Sequence, residues 1–201
     1  GPGATNLLTG VADAYFDSIP CVFITGQVNV CELEHDPTVR QNGFQEMDIV
    51  SMASAITKYA VQIRRAEDVP AALDKAFHLA MEGRKGPVLL DIPMNVQRSE
   101  LAENIIPVKQ RQTESRSGAQ KVGQEIWRYI EKAERPLLLL GAGIRQSDVL
   151  IEARKLAAAL KIPVVTSMVA VDVLETDSPY NLEFIGAYGH RWANIATARA
   201  D

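Results

Sequence analysis

The sequence predicts an α/β protein: parallel sheets flanked by helices, arranged as two partial doubly wound domains joined by a linker. Three observations lead there. Short apolar runs recur along the chain, CVFIT (Cys21–Thr25), VLLDI (Val88–Ile92), PLLLLG and IPVVTS, and each suits a strand covered on both faces. Segments with a helical apolar period separate them. The alternation then lapses over residues 94–118, which are rich in charge, Gln, Ser and Arg, and afterwards it resumes. The expected division is residues 1–98, a linker over 99–117, and residues 118–201.

Gly1-Pro2-Gly3 reads as a tight turn feeding a helix, a geometry that normally follows a strand. Leu7, Leu8, Val11, Ala12 and Tyr15 form one apolar helix face, and Pro20 ends that helix because it disfavours a helical residue before it. After the strand at 21–25, residues 27–43 are polar and turn-rich, a long loop of the type that is often functional. ITKYAVQI (Ile56–Ile63) is a second strand. Asp68 is a plausible cap and Pro70 a first-turn residue for a helix whose inward stripe is Leu73, Phe77, Ala80 and Met81, closed by Gly83. Beyond the linker come a helix over 119–133, the strand of PLLLLGAG, and a helix Ser147–Leu160 with Leu150, Ala153, Leu156 and Ala157 inward. The strand IPVVTS and the start of a last helix in GAYGHRWANIATARAD complete the pass.

Composition narrows the function. The chain has 201 residues, a hydrophobic fraction of 47% and a net charge of −4, so there is material for a core and no broad basic surface for nucleic acid. The apolar runs fall far short of the roughly 20 residues that cross a bilayer. Cys21 and Cys31 have no metal-ligand spacing and read as reduced thiols of a cytoplasmic protein. His35, His78 and His190 have no carboxylate or cysteine at ligand spacing and read as surface or helix residues; no metal site and no Ser-His-Asp or Cys-His arrangement is expected.

Three stretches could bear chemistry. In GPGATN, glycines flanking Pro2 let backbone approach a flat ligand, with Thr5 or Asn6 offering hydrogen bonds at a helix start; a plain capped turn is the alternative. GAGIRQS (Gly141–Ser147) follows a strand and precedes a helix, the setting of a phosphate-binding turn, but it lacks the third glycine of the dinucleotide fingerprint and is equally a tight connection. RQNGFQEMD sets Phe44 beside Gln45, an aromatic that packs next to an amide that orients, as in a small-substrate pocket; the alternative is a loop anchor with Glu46 and Asp48 suiting a helix N-terminus.

In order, GPGATNLLTGVADAYFDSIP with FITGQV, then GFQEMDIV, ITKY, GRKGPVLLDIPMNV and GHRWAN resemble the thiamine-diphosphate-dependent enzymes of the acetolactate synthase group, over essentially the whole chain. The resemblance implies that residues 1–98 are the second half of a pyrimidine-binding domain and that residues from 118 are most of a central, Rossmann-like domain. It implies an interior piece of a longer homodimeric or homotetrameric enzyme. The family's cofactor-activating glutamate would precede it, and the GDG…N motif for Mg2+ and diphosphate would follow. The piece alone is not expected to catalyse. The activity implied is that of a 2-keto-acid carboligase or decarboxylase, in which the cofactor takes up the electrons released on CO₂ loss while protein orients it and excludes water.

By resemblance Pro2 and Asn6 sit beside the cofactor's pyrimidine ring, Phe44 and Gln45 line the substrate end of the site, often across a subunit interface, Lys58 lies near the access channel, and Gly141 and Gly143 contact FAD in flavin-carrying members. Two departures leave the flavin open. Ser167-Met168-Val169-Ala170 stands where those members tend to show Thr-Leu-Met-Gly, and Gly186-Ala187-Tyr188-Gly189 where they show Gly-Met-His-Gly. The stretch CELEHDPTVRQN also departs from the biosynthetic synthases and points to a different acceptor. A reading from another class is a nucleotide- or FAD-binding regulatory module without catalysis, built on GAGIRQS.

Overall fold

The computed structural model describes residues 1–33, 38–101 and 119–201, in two units, Gly1–Thr113 and Glu114–Asp201. In the first unit Pro2–Asn6 wind as a 3-10 turn straight into α1 (Leu7–Phe16), followed by β1 (Val22–Gln27), α2 (Ile49–Ala53) and β2 (Tyr59–Gln62). Then come α3 (Val69–Met81), β3 (Val88–Pro93) and the short α4 (Met94–Gln97). The sheet has the order β1-β3-β2, all parallel, with Val22 and Tyr59 both opposite Val88.

The central strand explains the core. Side chains alternate across a strand, so Val88 and Leu90 face one layer and Leu89 the other. The first layer is closed by Ile63, Ala76, Ala80 and Val96, and the second by Ile49 and Ala53 with Leu8 packed against them. Val88, Leu89 and Leu90 are fully buried, which stabilises by about 1.5–3 kcal/mol each.

Two expectations for α3 are corrected. Phe77 and Met81 are more than half exposed, and the inward positions are Ala76 and Ala80, with Val69, Ala72 and Leu73 beside them. Small residues on that face let the helix lie close on β3, which turns the larger pair outward. Asp68 stands at the N-cap position without a side-chain capping bond; its carboxylate lies 3.8 Å from Arg65 Nε instead. Gly83 adopts φ +57°, the left-handed turn expected past the helix.

The second unit contains α5 (Ala119–Lys132), β4 (Leu138–Leu140), α6 (Gly143–Gln146), α7 (Leu150–Leu160), β5 (Val164–Thr166), β6 (Asn181–Phe184) and α8 (Arg191–Arg199). Its sheet is parallel with the order β4-β5-β6, over a core of Leu140, Ala157, Val164, Ala170, Val173 and Leu174. The helix expected over 147–160 begins only at Leu150, because Asp148 takes φ +57°, and the short α6 falls within the stretch read as a turn, Gly141–Ser147. Leu156 faces outward, while Ala153 and Ala157 are buried and Leu150 packs against the core. β6 is an addition to the sequence reading: Asn181-Leu182-Glu183-Phe184 is a half-buried edge strand with none of the apolar uniformity of the others. Most of the expected linker, and His35, lie outside the described residues.

Candidate functional site

In the first unit the elements converge at the carboxyl end of β1. The loop before α2 closes on itself there. Glu46 Oε2 accepts from the backbone N–H of both Asn42 and Gly43, each at 3.0 Å, and Glu46 N donates to Gly43 O at 3.1 Å. Gly43 is required by space: a Cβ would stand 2.9 Å from Val28 Cγ2. From the sheet, Gln27 Nε2 donates to Met47 O at 2.6 Å. Asp48 then caps α2 by accepting from Ser51 N at 3.0 Å. Between these restraints Gln45 is held at φ +60°, a left-handed conformation that a non-glycine residue keeps only where its neighbours impose it.

The opening turn closes against this loop. Gly1 N donates to Gly26 O at 3.0 Å, and a Cβ on Gly1 would come within 2.6 Å of Gln45 O. A cleft of roughly 390 Å³ lies along this junction, lined by Gly1, Pro2, Gly3, Ala4, Leu7, Ile24, Thr25, Gly26 and Gln45. Its walls combine the apolar surfaces of Pro2, Leu7 and Ile24 with exposed glycine backbone. The position, outside the carboxyl ends of parallel strands, is where α/β sheets bind ligands.

The structure therefore brings Pro2 and Gln45 together. Phe44, the neighbour of Gln45, is 81% exposed. Asn6 is exposed, one turn further on, and does not line the cleft. Thr5 does not cap the helix; its hydroxyl donates back to Pro2 O at 2.6 Å. Lys58 stands at the other end of the sheet, where its backbone N donates to Pro87 O at 2.8 Å and its Nζ to Glu82 O. Four or five residues at about 3.3 Å each separate that end from the cleft. Desolvation lowers the Lys58 pKa, and the Glu82 carboxylate partly offsets it.

Sequence reasoning missed a buried polar cluster beneath the cleft: Thr25, Gln27 and Asp91 are almost entirely inaccessible. Asp91 Oδ1 accepts from Thr25 Oγ1 at 2.7 Å, and Oδ2 from Gln62 Nε2 at 3.0 Å and Gln27 Nε2 at 3.4 Å. The available signal was one acid in the middle of VLLDIP.

In the second unit Gly141 follows β4 and Gly143 opens α6, and a Cβ built on either would meet open space. At the end of β5 Thr166 Oγ1 and Ser167 Oγ are buried and have no hydrogen-bond partner among the described residues. At the N-cap of α8, His190 stacks on Trp192 at 4.9 Å and meets Phe184 of β6 edge-on at 5.1 Å. Its Nε2 is 2.7 Å from Glu183 Oε2, within ion-pair reach but not aligned as a hydrogen bond. Glu183 itself is at φ +66°. His78 also has a carboxylate nearby, Glu82 one helical turn on at 3.7 Å, contrary to the sequence expectation. Among the described residues no group of three or more His, Cys, Asp or Glu could hold a metal ion, and no helix is long and apolar enough to cross a membrane.

Comparison with known proteins agrees with both units. Residues 1–52 match the thiamine pyrophosphate enzyme N-terminal TPP binding domain, and residues 124–201 match the thiamine pyrophosphate enzyme central domain. The chain belongs to the thiamine pyrophosphate enzymes. Within that family it is 35% identical over 203 residues to the acetolactate synthase isozyme 2 large subunit of Escherichia coli K12, covering 100% of this chain and 35% of that protein. It is 38% identical over 205 residues to the acetolactate synthase large subunit of Corynebacterium glutamicum, with 100% and 32% covered. The mitochondrial catalytic subunit of acetolactate synthase from Saccharomyces cerevisiae is 35% identical over 212 residues, with 100% and 30% covered. The chain thus spans about a third of the length of the curated relatives it matches.

Proposed function

We propose that these residues are part of an acetolactate synthase-like, thiamine-diphosphate-dependent carboligase or decarboxylase acting on 2-keto acids. Residues 1–98 would belong to the pyrimidine-binding domain and 118–201 to the central domain, in a cytoplasmic homodimer or homotetramer. The observation that supports this best is the closure of Gly1 against Gln45 O over a cleft at the carboxyl end of β1. The cleft suits a flat aminopyrimidine: Pro2, Leu7 and Ile24 offer apolar faces, and glycine backbone offers polar edges without side chains in the way.

When bound, thiamine diphosphate supplies the electron sink for decarboxylation of a 2-keto acid. The protein's part is to hold and shield. Pro2 would pack against the pyrimidine ring, with Asn6 beside the same turn. Gln45, fixed by its backbone, would present an amide to the substrate carbonyl or carboxylate. Phe44 would cover the substrate end and keep water out. The Mg2+ and diphosphate would be held outside this chain. A channel role for Lys58 requires the route to the site to pass the amino end of this sheet.

The flavin is the finer proposal for the second unit. The open space at Gly141 and Gly143 and the unpartnered Thr166 and Ser167 hydroxyls suit a ligand with phosphate or ribose oxygens. The purely nucleotide-binding, non-catalytic reading is not favoured, since the family match extends over both units.

The test is substitution in the full-length protein. Gln45→Ala and Phe44→Ala should each lower kcat/KM for the 2-keto acid by about tenfold or more, the loss of an orienting or water-excluding contact, and should change the product ratio. Unchanged turnover together with an unchanged product ratio in both variants would remove Phe44 and Gln45 from the site.

A further inference from the structure

We infer that Asp91 is a positioning residue for the Gly43–Met47 turn, acting through Gln27. Asp91 is 0% exposed on the otherwise apolar central strand of the sheet. A buried carboxyl is costly unless several donors meet it, and a valine would fill the strand at no such cost. Three donors do meet it, from Thr25, Gln62 and Gln27. One of the three leads out of the cluster. Gln27 Oε1 accepts from Val28 N at 3.0 Å, which fixes the amide with Nε2 as the donating end. Its two N–H groups then serve Asp91 Oδ2 and Met47 O.

Met47 is two residues from Gln45. The strained φ of Gln45 is therefore clamped twice: from within the loop by the Glu46 carboxylate on Asn42 and Gly43, and from the sheet by Gln27 on Met47 O. Asp91 aims the second clamp. Without it the Gln27 amide loses one of the two partners that set its rotamer, and the turn is free to relax away from Gly1. The catalytic consequence, though not the anchoring itself, rests on the reading that Gln45 lines a substrate site.

The experiment is hydrogen exchange on the full-length, cofactor-free protein, read at the amides of Gly43, Glu46 and Ile49 against Phe23 and Leu90 in the sheet. Asp91→Ala and Gln27→Leu should speed exchange in the turn by at least tenfold while the sheet amides stay protected. Asp91→Asn should stay near wild type, since its oxygen can accept from both glutamines while its NH₂ turns to the Thr25 hydroxyl. Should Asp91→Ala fail to fold, Gln27→Leu carries the same test. An unmoved turn in Gln27→Leu, or equal loosening of turn and sheet, overturns the anchoring. Titration of each variant with thiamine diphosphate and Mg2+, and KM for the 2-keto acid, separates the two ideas. A loosened turn with raised KM and unchanged cofactor affinity supports both; a loosened turn with unchanged KM and product ratio leaves the anchoring standing and removes the site reading.

Discussion

Both units end a three-stranded parallel sheet in buried threonine, yet the two ends are completed differently. In the first, Thr25, Gln27 and Asp91 satisfy one another, and the surplus N–H of Gln27 reaches across to Met47 O. In the second, Thr166 Oγ1 and Ser167 Oγ are buried without partners among the described residues, and so is Nδ1 of His190. Native proteins leave few buried polar atoms unmet, and those that remain ask for a reason. One end is a finished support for a strained turn. The other keeps hydrogen-bonding capacity that no described residue meets, on the strand paired with β4.

The same substitution in both places exposes this contrast most strongly. Thr25→Val removes a donor from a buried carboxyl and should cost about 1–3 kcal/mol. Thr166→Val replaces an unpartnered hydroxyl with a methyl of the same size and should be neutral or stabilising by up to about 1 kcal/mol. Native-state hydrogen exchange at the amides of β1 and β5 reads the two units separately, which a single melting curve of a two-unit protein cannot. Equal losses at both sites would mean that Thr166 has a partner of its own, and the contrast would fall.

A smaller effect concerns two of the residues held in left-handed backbone. Gln45 and Glu183 sit at φ +60° and +66° near the ends of their sheets. Glycine relieves such strain but widens the unfolded ensemble, so Gln45→Gly should stabilise the first unit by a net of about 0.5–1 kcal/mol. It should do so while lowering activity, because the amide is lost. Glu183→Gly gains the same relief but gives up the carboxylate beside His190, so its net effect should be smaller. Native-state hydrogen exchange in each unit, paired with turnover, measures both. A Gln45→Gly variant that is destabilised would show that the side chain, not the backbone, holds the turn.

Much of this was legible in the sequence, for physical reasons. Uniformly apolar strands such as VLLDI and IPVVT advertise themselves because burial on both faces leaves no polar alternation to confuse. Asn181–Phe184 did not, since an edge strand needs only half burial and its Glu183 breaks the pattern with a left-handed φ. Helix faces were misjudged where size was taken as the guide: α3 and α7 bury alanines, and their large residues Phe77, Met81 and Leu156 face out. Of the residues lining the cleft, Pro2 and Gln45 were named, but the contact of Gly1 with Gln45 and the Gln27–Asp91 support join residues 44 and 64 positions apart. The second pairing follows from strand register and the first from two loops closing on each other, and no local pattern states either. Lys58 was placed near a channel by likeness, whereas the register sets it at the end of the sheet away from the cleft.

That opposite end offers the mildest test, in alkaline solution. The lowered Lys58 pKa arises first from desolvation, with Glu82 opposing. Between the lowered value and 10.5 the unfolded chain binds more protons than the folded one, so the Lys58 contribution to stability rises with pH just below 10.5. Its neighbour Tyr59 does the reverse. Burial raises the Tyr59 pKa, the unfolded phenol loses its proton first near 10.0, and stability falls as pH climbs beyond that. The two slopes overlap in the wild type and hide each other. Lys58→Met keeps the apolar stem against Gly86 and removes only the titrating group, so subtracting its stability-against-pH curve from the wild-type curve isolates the lysine. The difference should rise from pH 8 towards 10.5 and then level. A flat difference would mean that the ammonium is solvated in the folded protein, which would free Lys58 to reach a channel instead of the last turn of α3.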